Sequence, residues 1–216
     1  MRDFPIFTTE YGVSNLILRE IPYRNEAYIR ILDVQPGKLG EHLKECVAFC
    51  RMAGAERIYA AGDVPEECPV FTTLVEMRGR IEPGEEDAAC LFPVTEQTAA
   101  RWRSLYNQAM ARVDTARTLE ARDERKLAQE AGAYFVHEGG KLLGIGWLQD
   151  NRLMAVASVC PGSGERILKT LAALLEGEDL VLDVASTNER AIRLYERMGL
   201  LRTREVDRWY DCSFFR

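Results

Sequence analysis

Histidine is nearly absent from this chain, with two residues in 216. The six cysteines, Cys46, Cys50, Cys68, Cys90, Cys160 and Cys212, therefore have too few imidazole partners for a zinc framework. No metal site is expected, and the thiols read as reduced and mostly buried. No window approaches the ~18–20 consecutive apolar residues of a membrane span. The opening Met-Arg-Asp-Phe-Pro-Ile-Phe lacks the apolar run of a secretory leader. Positive charge is in deficit too: 28 Lys and Arg against 34 Asp and Glu leave a formal net charge of -6. That balance argues against nucleic acid or an anionic membrane as partner. These absences point to a cytoplasmic protein.

The composition that remains, 47% hydrophobic and 29% charged, is that of an ordinary globular chain long enough for one large domain or two small ones. From about Cys90 onward the pattern is a complete α/β unit. Leu91 to Val94 is a short strand. Trp102, Leu105, Tyr106, Ala109, Met110 and Val113 mark one face of an amphipathic helix. The polar stretch Thr118 to Ala131 is a second, more exposed helix, and its charge run Glu120 to Lys126 reads as a solvated face. Ala133 to His137 and Lys141 to Leu148 form a hairpin around Gly139-Gly140. Arg152 to Val159 is an apolar strand, followed by the turn Pro161-Gly162-Ser163-Gly164 and a helix from Glu165 to Leu175. A strand at Leu180 to Val184, a helix after Asn188 and a final strand pair between Leu201 and Phe215 complete the unit.

The first 85 or so residues read as a shorter version of the same plan. A hairpin is expected from Asn15 to Ile21 and Glu26 to Val34 across Arg24-Asn25. A helix carries Leu39, Leu43, Cys46, Val47 and Cys50 and ends near Gly54, and strands follow at Arg57 to Ala61 and Val70 to Met77. Sliding the chain by 125 positions places Val34, Pro36, Gly37, Leu43, Lys44 and Ala48 on Val159, Pro161, Gly162, Leu168, Lys169 and Ala173. This is a weak internal repeat, open to the alternative of chance likeness between two βα units. The segment Gly62-Asp-Val-Pro-Glu-Glu-Cys-Pro69 leaves no room for a further helix in the first copy. The division expected is 1–88 and 89–216.

The richest local signal is Val184-Ala-Ser-Thr-Asn188-Glu-Arg-Ala191-Ile-Arg-Leu194-Tyr195-Glu-Arg-Met-Gly199-Leu200. A strand runs into a polar turn; Ser186 and Glu189 have capping-box spacing, and Gly199 is a helix terminator. Ala191, Leu194, Tyr195 and Met198 share one helical face. The combination of Asn at the helix start, Ala three positions on, Leu-Tyr one turn later and Gly-Leu at the exit resembles the C-terminal motif of the GNAT N-acetyltransferase superfamily. The resemblance covers residues 90 to 216, whose element order β-α-α-β-β-β-α-β-α-β-β is that of the family.

The resemblance implies a mixed α/β sheet, the GNAT acyl-CoA N-acyltransferase fold, with a truncated GNAT-like N-terminal lobe that is structural or substrate-shaping. It implies acetyl-CoA as co-substrate, with the pantetheine arm along Arg152 to Val159 and pyrophosphate at Gly162, Ser163, Gly164, Glu165 and Arg166. It places Asn188 on the pantetheine and the Tyr195 hydroxyl beside the sulfur, where a phenol can protonate the departing thiolate. Asn188 also reads as a helix cap and Tyr195 as a core ring. The chain departs from the family after Val159-Cys160-Pro161, where about a turn of the phosphate loop is missing. No general base is legible: Asp183 reads as a salt-bridged strand residue and His137 as a surface one. The cluster Trp209-Tyr210 with Phe214-Phe215 reads as packing or, alternatively, as an acceptor pocket. The function expected is acetyl transfer to a primary amine of a small molecule or peptide. The alternatives are a non-catalytic acyl-CoA-binding or regulatory protein on the same fold, and a plain interaction protein.

Overall fold

A computed structural model describes residues 5–82 and 89–215. They form two compact units, Met1–Thr73 with Asp207–Arg216, and Leu74–Val206. The expected boundary at 88/89 touches the segment 83–88, outside the described residues. The compact units divide at 73/74 and 206/207.

In the first unit β1 (Ile6–Thr8), β2 (Gly12–Ile17) and β3 (Glu26–Val34) form an antiparallel meander. The short helix α1 (Ile21–Arg24) replaces the end of the strand expected up to Ile21. Pro22 sits in the first turn of α1, where its missing N–H costs nothing, and Asn25 turns the chain at φ 56°, a left-handed conformation that Asn tolerates better than most residues. Helix α2 (Leu39–Met52) connects β3 to the parallel strand β4 (Arg57–Ala61). Its periodic residues Leu43, Cys46, Val47 and Cys50 are buried against Leu16, Ala27, Ile29, Ile58 and Ala60. No helix occurs among residues 62–69.

The second unit holds β6 (Cys90–Pro93), α3 (Ala99–Met110), α4 (Ala121–Gln129), β7 (Ala133–Glu138), β8 (Lys141–Gln149) and β9 (Arg152–Ser158). Helix α5 (Gly164–Ala172) with a 3-10 turn (Ala173–Leu175), β10 (Leu180–Ala185) and α6 (Glu189–Arg197) follow. Two strands cross the division between units, β5 (Val70–Gly79) and β11 (Leu201–Asp211). The sheet order in this unit is β11-β5-β10-β9-β8-β7-β6.

The C-terminal strand pair expected from the sequence is therefore one strand, β11. Between Leu201 and Asp211 there is no Gly, Pro or Asn to reverse the chain. The place beside β10 is taken by β5, antiparallel from Leu180↔Gly79 to Ala185↔Leu74. The end of β11 pairs in the first unit with β4, at Tyr210↔Ala60 and Asp211↔Tyr59. Each unit is thus completed by a strand that sequence order assigns to the other.

The internal repeat is visible in the geometry. Both βαβ units place a glycine at left-handed φ before the helix, Gly37 at 75° and Gly162 at 84°. The helices start two residues later, at Leu39 and Gly164. In the second unit α5 and α6 cover one face of the sheet, with Ile167, Leu168, Leu171, Ile192 and Tyr195 in one core. On the other face Trp102 and Tyr106 of α3 and Leu127 of α4 pack on Phe135, Ile145, Ala155 and Ala157. Helix α4 is capped by reciprocal bonds between Glu120 and Asp123. Its charge run, expected as a solvated face, is partly drawn into ion pairs: Glu124 with Arg103 at 2.8 Å and Asp123 with Arg117, both carboxylates half-buried. Among the described residues no helix is long and apolar enough to cross a membrane, and no cluster of three metal-ligating side chains forms.

Candidate functional site

The site begins with a fault in the sheet. Strand β9 is paired throughout with β8, but with β10 it shares a single register pair, Val181↔Arg152. Beyond that point β9 and β10 diverge, leaving backbone groups on the facing edge of β9 without strand partners. A bulge explains the divergence. Trp147 opposes Ala155 and Leu148 opposes Leu153, so Met154 is an extra residue on β9. A bulge bends its strand and resets the alternation of side chains. Accordingly Leu153 lies in the α5/α6 core, whereas Ala155 and Ala157 lie in the α3 core.

The C-terminal end of β9 leads through residues 159–163 into α5. Gly162 has left-handed φ, and a Cβ built on it would meet nothing within 4 Å. Ser163 is the N-cap, but its hydroxyl donates to the carbonyls of Leu143 (3.0 Å) and Cys160 (2.7 Å) rather than capping the helix. The first N–H groups of α5 have no intrahelical acceptor and point along the positive end of the dipole. The Arg166 guanidinium pairs with Glu138 at 2.6 Å. A Cβ on Gly164 would meet Leu194 Cδ2 at 2.9 Å, so this glycine lets α5 pack closely on α6. Glu165 binds Lys169 at 2.9 Å, which holds its carboxyl below the usual range.

Helix α6 closes the site. Its N-cap is Asn188, whose side chain accepts from the Ala191 N–H at 3.3 Å; the Ser186–Glu189 capping box expected from the sequence is not the cap. At the other end the Leu200 N–H donates to the Tyr195 carbonyl and the Gly199 N–H to Glu196, with Gly199 at φ 88°. This is the Schellman arrangement that glycine permits. Tyr195 is 8% exposed, and burial pushes its phenol up to about 12.

Gly162, Gly164, Glu165, Asn188 and Tyr195 all line one cavity of about 840 Å³. That is toward the upper end of small-molecule sites, roughly 300–1,000 Å³. Val159, Ser163 and Arg166 are not on its wall. The cavity is walled by Leu153–Ser158 of β9 and Leu182–Ala185 of β10, on one side by α5 and α6, and on the other by α3 and residues 113–117. Asp183 lies on the wall but is ion-paired with Arg152. His137, expected at the surface, is half-buried edge-to-face with Phe92 and lies away from the cavity. The C-terminal aromatics do not line the cavity: Trp209 packs on Tyr28 and Tyr59, and Phe215 joins the core under α2.

Sequence reasoning missed two sets of wall residues. Arg190, Arg193 and Arg197 form an exposed basic row on α6, readable from their spacing of three and four. Arg193 binds Glu189, while Arg190 and Arg197 make no ion pair among the described residues. Arg197 also contributes to holding the Glu165 carboxyl low, which places it near the start of α5. The second set is the loop after α3, where no local pattern marks a site.

No family model and no curated protein matches the sequence. Solved structures match over nearly the whole chain at low identity. A conserved protein of unknown function from Staphylococcus epidermidis has a TM-score of 0.58 at 10% identity, covering 98% of this chain and 94% of its own. A GCN5-related N-acetyltransferase from Kribbella flavida has a TM-score of 0.55 at 11% identity, covering 96% of this chain and 55% of its own. A tandem GNAT protein from the clavulanic acid biosynthesis pathway has a TM-score of 0.52 at 16% identity, covering 97% and 82%. At such identities the likeness defines the fold: the chain has the mixed α/β fold of the GNAT acyltransferases.

Proposed function

We propose that the protein is an acetyl-CoA-dependent N-acetyltransferase that acts on a primary amine by direct attack within a ternary complex. The observation that carries this reading is the gap between β9 and β10, walled by the α5 start and by Asn188 and Tyr195 of α6. An unpaired strand edge can accept a chain of amides as it would another strand. The open Gly162 turn, the positive N-terminal end of α5 and the unpaired Arg190 and Arg197 fit a polyphosphate arm. Acetyl-CoA supplies an acetyl group activated as a thioester.

The chain's own residues bind and orient. Asn188 caps α6 through one oxygen lone pair and keeps its amide N–H₂ for the pantetheine. Tyr195 holds a proton at its phenolic oxygen as the candidate donor to the leaving thiolate; burial raises its pKa, which keeps the phenol protonated at neutral pH but weakens it as an acid. Met110, Val113, Met154 and Leu194 supply the apolar part of the cavity wall. The first unit, without a helix among residues 62–69, takes a structural or substrate-shaping part. The acceptor is a small molecule or peptide, and the place of action is the cytoplasm.

One observation favours a second reading, an acyl-CoA-binding protein without turnover. Arg166 is committed to Glu138, and the first turn of α5 carries the Glu165 carboxylate. Calorimetric titration with CoA, followed by turnover of acetyl-CoA with a panel of primary amines, separates the two. Binding with turnover supports the enzyme, binding without turnover the second reading, and no binding removes both.

A further inference from the structure

Three carboxylates stand on the cavity wall: Asp114, Glu165 and Asp183. Two are neutralised, Glu165 by Lys169 and Asp183 by Arg152. Asp114, half-buried in the loop after α3, has no cationic partner among the described residues. Its Oδ2 accepts a hydrogen bond from the Thr187 hydroxyl at 2.6 Å. A neutral hydroxyl orients a carboxylate but leaves its charge standing. The nearest wall cation in sequence, Arg117, is spent on Asp123.

The backbone holds Asp114 at a cost. Thr115, β-branched, has φ 61°, and its hydroxyl donates to the Asp114 carbonyl at 2.6 Å. A β-branched residue in the left-handed region is a true outlier, of the kind that persists where the surroundings over-determine it. The charges on the wall are also segregated. The unpaired arginines Arg190 and Arg197 are on α6, while the unpaired anion belongs to the loop after α3, the helix that packs on the opposite sheet face.

We infer that Asp114 is a specificity-determining residue and that the acceptor carries a second positive charge besides its reacting amine, as a diamine does. This rests on the acetyltransferase reading above. The Asp114 carboxylate pairs with the distal ammonium while the other nitrogen reacts, so no proton changes hands at Asp114. A charge-assisted bond of this kind commonly corresponds to roughly a tenfold to hundredfold difference in binding.

The test compares 1,5-diaminopentane with n-pentylamine, which share the reacting group and differ in the distal charge. The native protein is expected to prefer the diamine at least about tenfold in kcat/KM, mainly through KM. Asp114→Asn, which preserves shape and can still accept from Thr187, is expected to bring that ratio toward one. Equal use of the two amines by the native protein, or a ratio that survives in a well-folded Asp114→Asn variant, overturns the inference. Equilibrium binding of 1,5-diaminopentane, measured with and without CoA, makes the result independent of turnover. Diamine binding that is lost in Asp114→Asn while no amine is acetylated upholds Asp114 and removes the enzyme reading. Absence of diamine binding to the native protein, with pentylamine turned over, does the reverse.

Discussion

Tyr195→Phe is the most informative single change at this site. The ring fills the α6 face beside Ala191, Leu194 and Met198, and phenylalanine keeps that packing. If the hydroxyl delivers a proton to the leaving thiolate, its removal should lower kcat by roughly 10²–10⁴-fold with CoA affinity nearly unchanged. Stability supplies a second, independent reading. Burial raises the phenol to about 12 in the folded protein, against about 10 in an unfolded chain. The native state therefore keeps its proton while the unfolded state begins to release one. Stability from this group is intact below about pH 10 and is lost as pH rises toward about 12. At pH 11 the loss is on the order of 1 kcal/mol. Urea unfolding of both proteins at pH 7 and pH 11 measures it: the gap between native and variant should shift by about that amount in favour of phenylalanine. Full turnover by a folded Tyr195→Phe protein, measured where chemistry limits the rate, would refute the acid. An unchanged stability gap between the two pH values would refute the burial argument.

Further outcomes are expected elsewhere in the molecule. Asn188→Ala should destabilise by about 0.5–2 kcal/mol through loss of the α6 cap and also weaken CoA binding. Asn188→Ser keeps a cap, so a stable Ser variant with native CoA affinity, seen by calorimetry, would reduce Asn188 to a cap alone. Arg197→Ala should weaken CoA binding by roughly tenfold, with a smaller salt dependence than the native protein, because an exposed cation meets phosphate there. Thr115→Gly relieves about 1–2 kcal/mol of left-handed strain against about 1 kcal/mol of glycine entropy, so its Tm should move little while diamine preference falls. A large drop in Tm would show the threonine to be structural. A chain beginning at Ala89 loses Leu74–Gly79, the antiparallel partner of β10, together with the fully buried Met77. It should fail to unfold cooperatively in a thermal circular-dichroism scan, and a sharp transition would contradict the strand assignment.

Sequence alone determined what depends on neighbours a few residues apart. Helices α2, α3, α5 and α6 follow from apolar spacing of three and four, and the α6 exit from Gly199, because a left-handed residue there is cheap only for glycine. The 125-position repeat is legible for the same reason, since each βαβ copy writes its own strand, Val-x-Pro-Gly turn and helix. Only the tertiary structure decided what depends on distant partners. Strand β5 sits beside β10 and the end of β11 beside β4, because an unpaired strand edge takes whichever strand closure brings to it, and periodicity carries no address. Only the folded chain shows that Glu138, 28 residues away, pairs with the Arg166 guanidinium. Asp114 had no mark in the sequence at all. Its standing as the carboxylate left without a cation arises from where Lys169, Arg152 and Asp123 spend their own charges, and that is settled by packing rather than by any local pattern.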